Sequence, residues 1–162
     1  VHRVGDHVDT DLIIPGRYLT LRDEVALGAH CLEGLDPGFA QRIAPGDILV
    51  AGRNFGSGSS REHAVLALRG AGIAAVVAES VARIFFRNAI NLALPVIVWP
   101  DAARALAAGD VAEVDISAGV VRQGAATWHV PPFQGEVEAI IRAGGLAPHI
   151  RAILAQTPRP GA

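Results

Sequence analysis

The chain has 162 residues, enough for one domain with a substantial core, and the expected unit is residues 1–162. Hydrophobic residues make up 51% and aromatics only 5%, so that core has to be built from Ala, Val, Ile and Leu. The formal net charge is −2 and every basic residue is arginine; no basic stripe points to nucleic acid and no acidic tail to a disordered partner segment.

One cysteine, Cys31, rules out an internal disulfide and a metal cluster ligated by cysteines of this chain alone. The histidines lack the spacing of a dedicated zinc site. No apolar run approaches the roughly 18 residues of a membrane span, and no charged-then-apolar leader opens the sequence. A cytoplasmic protein that binds no membrane is expected.

In chain order, "VHRVGDHVDTDLIIPGRYL" alternates apolar and polar residues before a Pro-Gly turn signal, which predicts a strand and then a loop. In an extended segment Asp9 and Asp11, two apart, would share one face. Residues Asp23–Gly34 carry a helical pattern, with Asp23 as cap and Gly34 as stop. A turn-rich stretch follows. Asp47–Gly52, Ile73–Glu79 and Pro95–Pro100 are short apolar runs that read as buried strands. Helical pieces lie between them at Glu62–Arg69 and Val81–Ile90, so parallel strands with helical crossovers are expected. From Val111 the pattern changes to three short strands of a meander, then one or two helices, then a frayed tail from about residue 156.

The chemistry concentrates at Gly52–Ala64, "GRNFGSGSSREHA", between a strand and a helix. Ser59-Ser60-Arg61-Glu62 fits the S-x-x-E capping box, so Ser59 could simply cap the helix, with Gly70 and Gly72 closing it. A cap needs one serine, not a run. Gly56 and Gly58 imply positive φ or close approach of another molecule. A helix N-terminus attracts anions, and Arg61 adds a fork of donors suited to a carboxylate or phosphate. A P-loop is excluded by the absence of lysine. The dinucleotide fingerprint is broken by Arg61 at its third glycine position, although Glu79 follows at the right distance. A stand-alone nucleotide or anion-binding module therefore stays open beside a site that holds a carboxylate substrate next to a serine.

"NFGSGSSREHA" resembles the signature of the aconitase superfamily's swivelling domain. "GDHVDTDLIIPGRYL", "GLDPGFAQRIAPGDILVAGRNFGSGSSREHA" and "GIAAVVAESVARIFFRNAINLALPVI" resemble, in order, the separate small subunits of isopropylmalate isomerase and homoaconitase. The likeness runs over about residues 4–98 and more loosely to the end, and the length fits a free-standing small subunit. It implies an α/β fold, a three-layer β/β/α swivelling domain. It also implies a large subunit that carries a [4Fe–4S] cluster, with no metal bound by this chain, in a heterodimer or heterotetramer. By match to the motif, Ser59 would be the general base that takes a proton from carbon. Ser60 and Arg61 would hold a substrate carboxylate, and Asp11 would support proton handling in the same site. Arg83, Arg87, Asn88 and Asn91 read as helix-end and subunit contacts.

The loop after "DTDLIIPG" is, by the same resemblance, the one that reaches over the substrate's variable arm. Homoaconitase-like chains tend to carry "YLRT" there, with Arg meeting an additional carboxylate. Here the residues are Leu19, Thr20 and Leu21. Without that Arg a second anionic arm is poorly paired, whereas Leu19 and Leu21 suit an apolar one. An isopropylmalate or a methyl-substituted malate is favoured over homocitrate, although Arg22 lies two positions on from Thr20.

Overall fold

The computed structural model describes residues 1–156. Its centre is a parallel sheet of β1 (His2–Arg3), β2 (Asp47–Ala51), β3 (Ile73–Ala78) and β4 (Val96–Val98), in that spatial order. Helix α3 (Glu62–Ala71) connects β2 to β3, and α4 (Arg83–Asn91) connects β3 to β4. The expected parallel strands with helical crossovers are present, and they read as continuous apolar runs because both faces of the sheet are covered.

Alternation along the strands divides the core in two. Leu49, Ala51, Val76, Ala78 and Val96 point to the face packed by α3, α4 and the N-terminal segments. Ile48, Val50, Ala75, Val77 and Ile97 point to the other face. There they meet α5 (Pro100–Ala105) and the antiparallel sheet of β5 (Glu113–Asp115), β6 (Val120–Gln123) and β7 (Ala126–His129). Helices, parallel sheet and antiparallel sheet form the expected β/β/α layers. Two helices, α6 (Gly135–Arg142) and α7 (Leu146–Gln156), follow the meander and pack on α4. Gln156 is the last residue of α7, and the rest of the expected frayed tail lies outside the described residues.

Four expectations are corrected. The segment after β1 is not a plain loop. It forms a one-turn helix, α1 (Thr10–Ile13), in which the Asp9 carboxylate accepts from Leu12 N at 2.9 Å. Asp9 and Asp11 therefore share no face: one is the cap and the other projects from the first turn. Helix α2 (Glu24–Gly28) is capped by Asp23, as expected, but it stops six residues before Gly34. Leu32 at φ +58° is incompatible with a continuing helix. Gly70 does not close α3 but lies inside it. A Cβ there would meet Glu24 O at 1.9 Å, so this glycine lets α2 and α3 approach backbone to backbone. Gly72, at φ +110°, is the residue that ends α3. The turn-rich expectation for residues 35–47 holds, with a 3₁₀ turn at Ala40–Arg42.

Candidate active site

The glycine-serine loop leaves the C-terminal end of β2 and is held on both sides by backbone. On one side His7 N donates to Arg53 O (2.7 Å), Gly56 N to Val8 O (2.8 Å) and Thr10 N to Ser57 O (2.9 Å). On the other, Phe55 N donates to Ser80 O (3.0 Å) and Ala82 N to Phe55 O (2.9 Å). Asp6 clamps the entry by accepting from Arg53 N, Nε and Nη2. Those bonds, led by the one from the Arg53 backbone N–H, hold its carboxyl below the usual range. Phe55 is fully buried and meets Phe85 edge-to-face at 5.1 Å.

Gly56 and Gly58 both have positive φ, +71° and +92°. Their reasons differ. A Cβ on Gly56 would sit 2.2 Å from the Phe85 ring, so this glycine serves core packing and not the approach of a ligand. A Cβ on Gly58 would meet Thr10 Oγ1 at 3.3 Å.

Ser59 does not cap α3. The helix starts at Glu62, and its N-cap is Arg61, in extended conformation with no side-chain capping bond. The capping-box reading fails because the chain before Arg61 is tied sideways to α1. Thr10 Oγ1 donates to Ser59 O at 3.2 Å and stands 3.4 Å from Ser59 Oγ. Glu62 becomes the first helical residue instead of the third. Ser59 and Ser60 are both exposed, and the first turn of α3 opens beside them without a side-chain cap. That is a favourable place for negative charge.

Arg61 turns back onto α1. Its Nη1 donates to Asp11 Oδ1 at 2.5 Å and reaches Ile14 O at 3.4 Å. The arginine side chain is 17% exposed and the aspartate 62%. Two acceptors fix Nη1, while Nε and Nη2 have no hydrogen bond among the described residues. The loop that follows α1 springs from this pair: a Cβ on Gly16 would lie 3.9 Å from Asp11 Oδ1. Within that loop Thr20 is exposed, whereas Leu19 and Leu21 are half-buried and pack on the main core.

Residues 33–101 match the family described as the aconitase C-terminal domain. The 3-isopropylmalate dehydratase small subunit of Desulfovibrio desulfuricans is 47% identical over 157 residues, which is 96% of this chain and 95% of that protein. The chain belongs to the 3-isopropylmalate dehydratase small-subunit family of the aconitase superfamily. It is thereby one part of a hydro-lyase. A 2,3-dimethylmalate dehydratase small subunit from Eubacterium barkeri is 45% identical, covering 94% of each chain. The crystal structure of 3-isopropylmalate dehydratase (LeuD) from Methanocaldococcus jannaschii superposes with a TM-score of 0.89 at 41% identity, over 95% of this chain and 92% of that one.

In this small-subunit family member, Asp11 and Arg61 are brought into contact, and Ser59 and Ser60 lie next to Arg61 in the chain. No group of three or more His, Cys, Asp or Glu among the described residues could hold a metal ion. Cys31 is fully buried, and burial pushes its thiol up to about 12, so it is an inert core residue. Glu79, the acid a nucleotide site would need, is engaged by Arg104 Nε at 3.0 Å. No helix among the described residues is long and apolar enough to cross a membrane.

Sequence reasoning missed Thr10, the one buried polar side chain among the described residues, because a threonine in "DTDLII" carries no motif beyond its neighbours. It also missed Glu33. This carboxylate accepts from Tyr18 Oη (2.8 Å) and Arg17 Nη2 (2.5 Å) and pairs with His30 Nδ1 (2.6 Å). Hydrogen bonds from Tyr18, then His30 and Arg17, hold its carboxyl down at about 2.

Proposed function

We propose that this chain is the small subunit of a two-chain hydro-lyase that interconverts 2-isopropylmalate and 3-isopropylmalate, a cytoplasmic step of leucine biosynthesis. Residues 1–162 act as a single swivelling domain in that assembly. The observation that carries the reading is Arg61. It is a largely enclosed guanidinium, oriented by Asp11, with no hydrogen bond at Nε or Nη2 among the described residues, and it follows two exposed serines in the chain at an uncapped helix start. Such a fork matches a carboxylate, and Ser60 adds a hydroxyl donor to it.

With the carboxylate held, Ser59 Oγ takes the proton from the adjacent carbon. The C–H electron pair forms the double bond, and the hydroxyl leaves the neighbouring carbon with its own bonding pair. In the return step water adds with its hydroxyl on the other carbon, and Ser59 gives its proton back. A serine oxygen is a poor base in water. The helix start and Arg61 place positive charge where its negative form needs it. Thr10 Oγ1, 3.4 Å away, is a further donor that can turn toward it. These effects strengthen when the site is closed and dry. The exposure of Ser59 and Ser60 in the isolated chain supports a site completed by a large subunit, in a heterodimer or heterotetramer.

When bound to that large subunit, a [4Fe–4S] cluster supplies the Lewis acid for the departing hydroxyl. Cys31, the one cysteine of the sequence, is buried and offers it no thiolate. Leu19, Thr20 and Leu21 line the substrate's side arm. Thr20 stands where an arginine would pair a third carboxylate, which favours an alkyl-malate over homocitrate. A second reading, 2,3-dimethylmalate dehydration, is supported by the similarity to the Eubacterium barkeri small subunit.

The test is anaerobic co-expression with the large subunit from the same genome, following absorbance of the unsaturated intermediate. Isopropylmalate, dimethylmalate and homocitrate are assayed in parallel. Turnover that requires both chains and is fastest with isopropylmalate is expected. Faster turnover of dimethylmalate moves the assignment to the second reading, and turnover by this chain alone defeats both.

A further inference from the structure

The loop that would cover the substrate's arm has little backbone support of its own. Its internal main-chain bonds are three tight turns: Tyr18 N to Pro15 O, Leu19 N to Gly16 O and Leu21 N to Tyr18 O. Tyr18, Leu19 and Leu21 pack on the main core, and the loop's polar ties to the rest of the molecule converge on one carboxylate. Glu33 Oε1 accepts from Arg17 Nη2 at 2.5 Å and from Tyr18 Oη at 2.8 Å, while Oε2 pairs with His30 Nδ1 at 2.6 Å. The Tyr18 ring stacks on His30 with centroids 3.7 Å apart and planes 11° from parallel. The Arg17 guanidinium lies 4.8 Å from the centre of the same ring.

The turn that carries Glu33 is itself anchored to the site. Leu32 N donates to Ile13 O at 2.8 Å, so the turn is bonded to the last residue of α1. A Cβ on Gly34 would lie 2.8 Å from both Asp11 O and Leu12 Cα, so the backbone of this turn touches the helix that presents Asp11 to Arg61. Residues 30–34 therefore back both α1 and the loop. Charge-assisted bonds of this kind are the strong ones. The bonds from Tyr18 and His30 are partly buried, with the Glu33 side chain 20% accessible, whereas Arg17 is exposed.

We propose that Glu33 is a positioning residue that latches the Arg17–Arg22 loop onto the turn behind α1 and so sets how tightly the site grips the substrate's side arm. This rests on the reading that the loop covers that arm. The latch acts through Arg17 and Tyr18, the residues that lead into Leu19, Thr20 and Leu21. Glu33→Gln keeps the size of the side chain and removes its charge. Tyr18→Phe keeps the ring stack and removes one hydrogen bond, so it reports the same latch with less risk to folding.

Two readouts separate the latch from the loop reading. The first is amide hydrogen exchange of the full chain. Residues 16–22 should exchange roughly tenfold faster or more in Glu33→Gln, with β2 and α3 unchanged, and less so in Tyr18→Phe. The second is steady-state kinetics of the two-chain enzyme. KM for isopropylmalate should rise about tenfold with kcat changed less than about threefold, and the kcat/KM ratio of isopropylmalate to dimethylmalate should shift by more than about threefold. Unchanged exchange at 16–22 in both variants overturns the latch. Faster exchange with KM and the substrate ratio unchanged leaves the latch but overturns its role at the substrate, and with it the reading of the loop.

Discussion

The two segments that adjoin the Asp11–Arg61 pair are built on opposite principles. The loop at residues 53–61 is held on both flanks by main-chain hydrogen bonds, and its one aromatic side chain, Phe55, is sunk in the core. The loop at residues 15–22 has only local main-chain turns, and side chains tether it: Leu19 and Leu21 on the core, Arg17 and Tyr18 on Glu33. Main-chain support fixes atoms to a fraction of an ångström and changes little with side-chain identity. Side-chain tethers are replaceable. Under the proposed function, that division would suit a catalytic loop whose chemistry is common to many substrates and a covering loop whose contacts differ with the substrate's arm.

The comparison breaks most visibly at Gly56. Gly56→Ala places a methyl 2.2 Å from the Phe85 ring at φ +71°, which adds overpacking to left-handed strain. A loss of about 2–4 kcal/mol in denaturant unfolding is expected, with no such sensitivity at Gly16 in the other loop, where an added Cβ would make only an ordinary 3.9 Å contact with Asp11 Oδ1. A change near zero at Gly56 would mean that the loop is softer than its hydrogen bonds imply.

A smaller effect is expected at Arg61. Arg61→Lys keeps the charge near Asp11 and removes the fork. KM should rise by about 10- to 100-fold with stability nearly unchanged, measured by steady-state kinetics of the assembled enzyme beside a thermal melt. An unchanged KM would place the carboxylate elsewhere.

Thr10 gives the smallest effect and the sharpest one. Thr10→Val is close to isosteric and removes the hydroxyl that contacts both Ser59 O and Ser59 Oγ. A single neutral hydrogen bond is worth about 0.5–1.5 kcal/mol, so kcat should fall by about 2- to 10-fold, and Thr10→Ser should restore most of it. A loss that serine does not rescue would mark Thr10 as packing alone.

Much of this layout was legible in the sequence. The three longest parallel strands, their crossovers, the antiparallel meander, the Asp23 cap and the Gly72 stop all follow from local pattern, because each is decided by residues near in the chain. The failures share a physical cause. α1 is one turn long, too short for a periodicity to register. Asp9 acts as its cap, a role also compatible with a solvated loop. The capping box at Ser59 was a valid local motif that lost to a long-range contact, since Thr10 and Ser57 hold that stretch out of the helix. Gly70 reads as a helix stop and instead admits the Glu24 backbone, while Gly56 has the positive φ its sequence context implies, with the Phe85 ring as its close neighbour. The Glu33 latch joins residues 15 or 16 apart through long side chains, a spacing that no helical or strand period connects.

The central claim is that Ser59 is a base and not a cap, and one substitution addresses it directly. Ser59→Ala is assayed in the assembled two-chain enzyme, with assembly checked by gel filtration and turnover followed through the unsaturated intermediate. The account predicts intact assembly, a melting temperature close to that of the unaltered chain, and turnover lower by about 10²–10⁴-fold. Turnover within a few-fold of normal, whatever the change in stability, would contradict it.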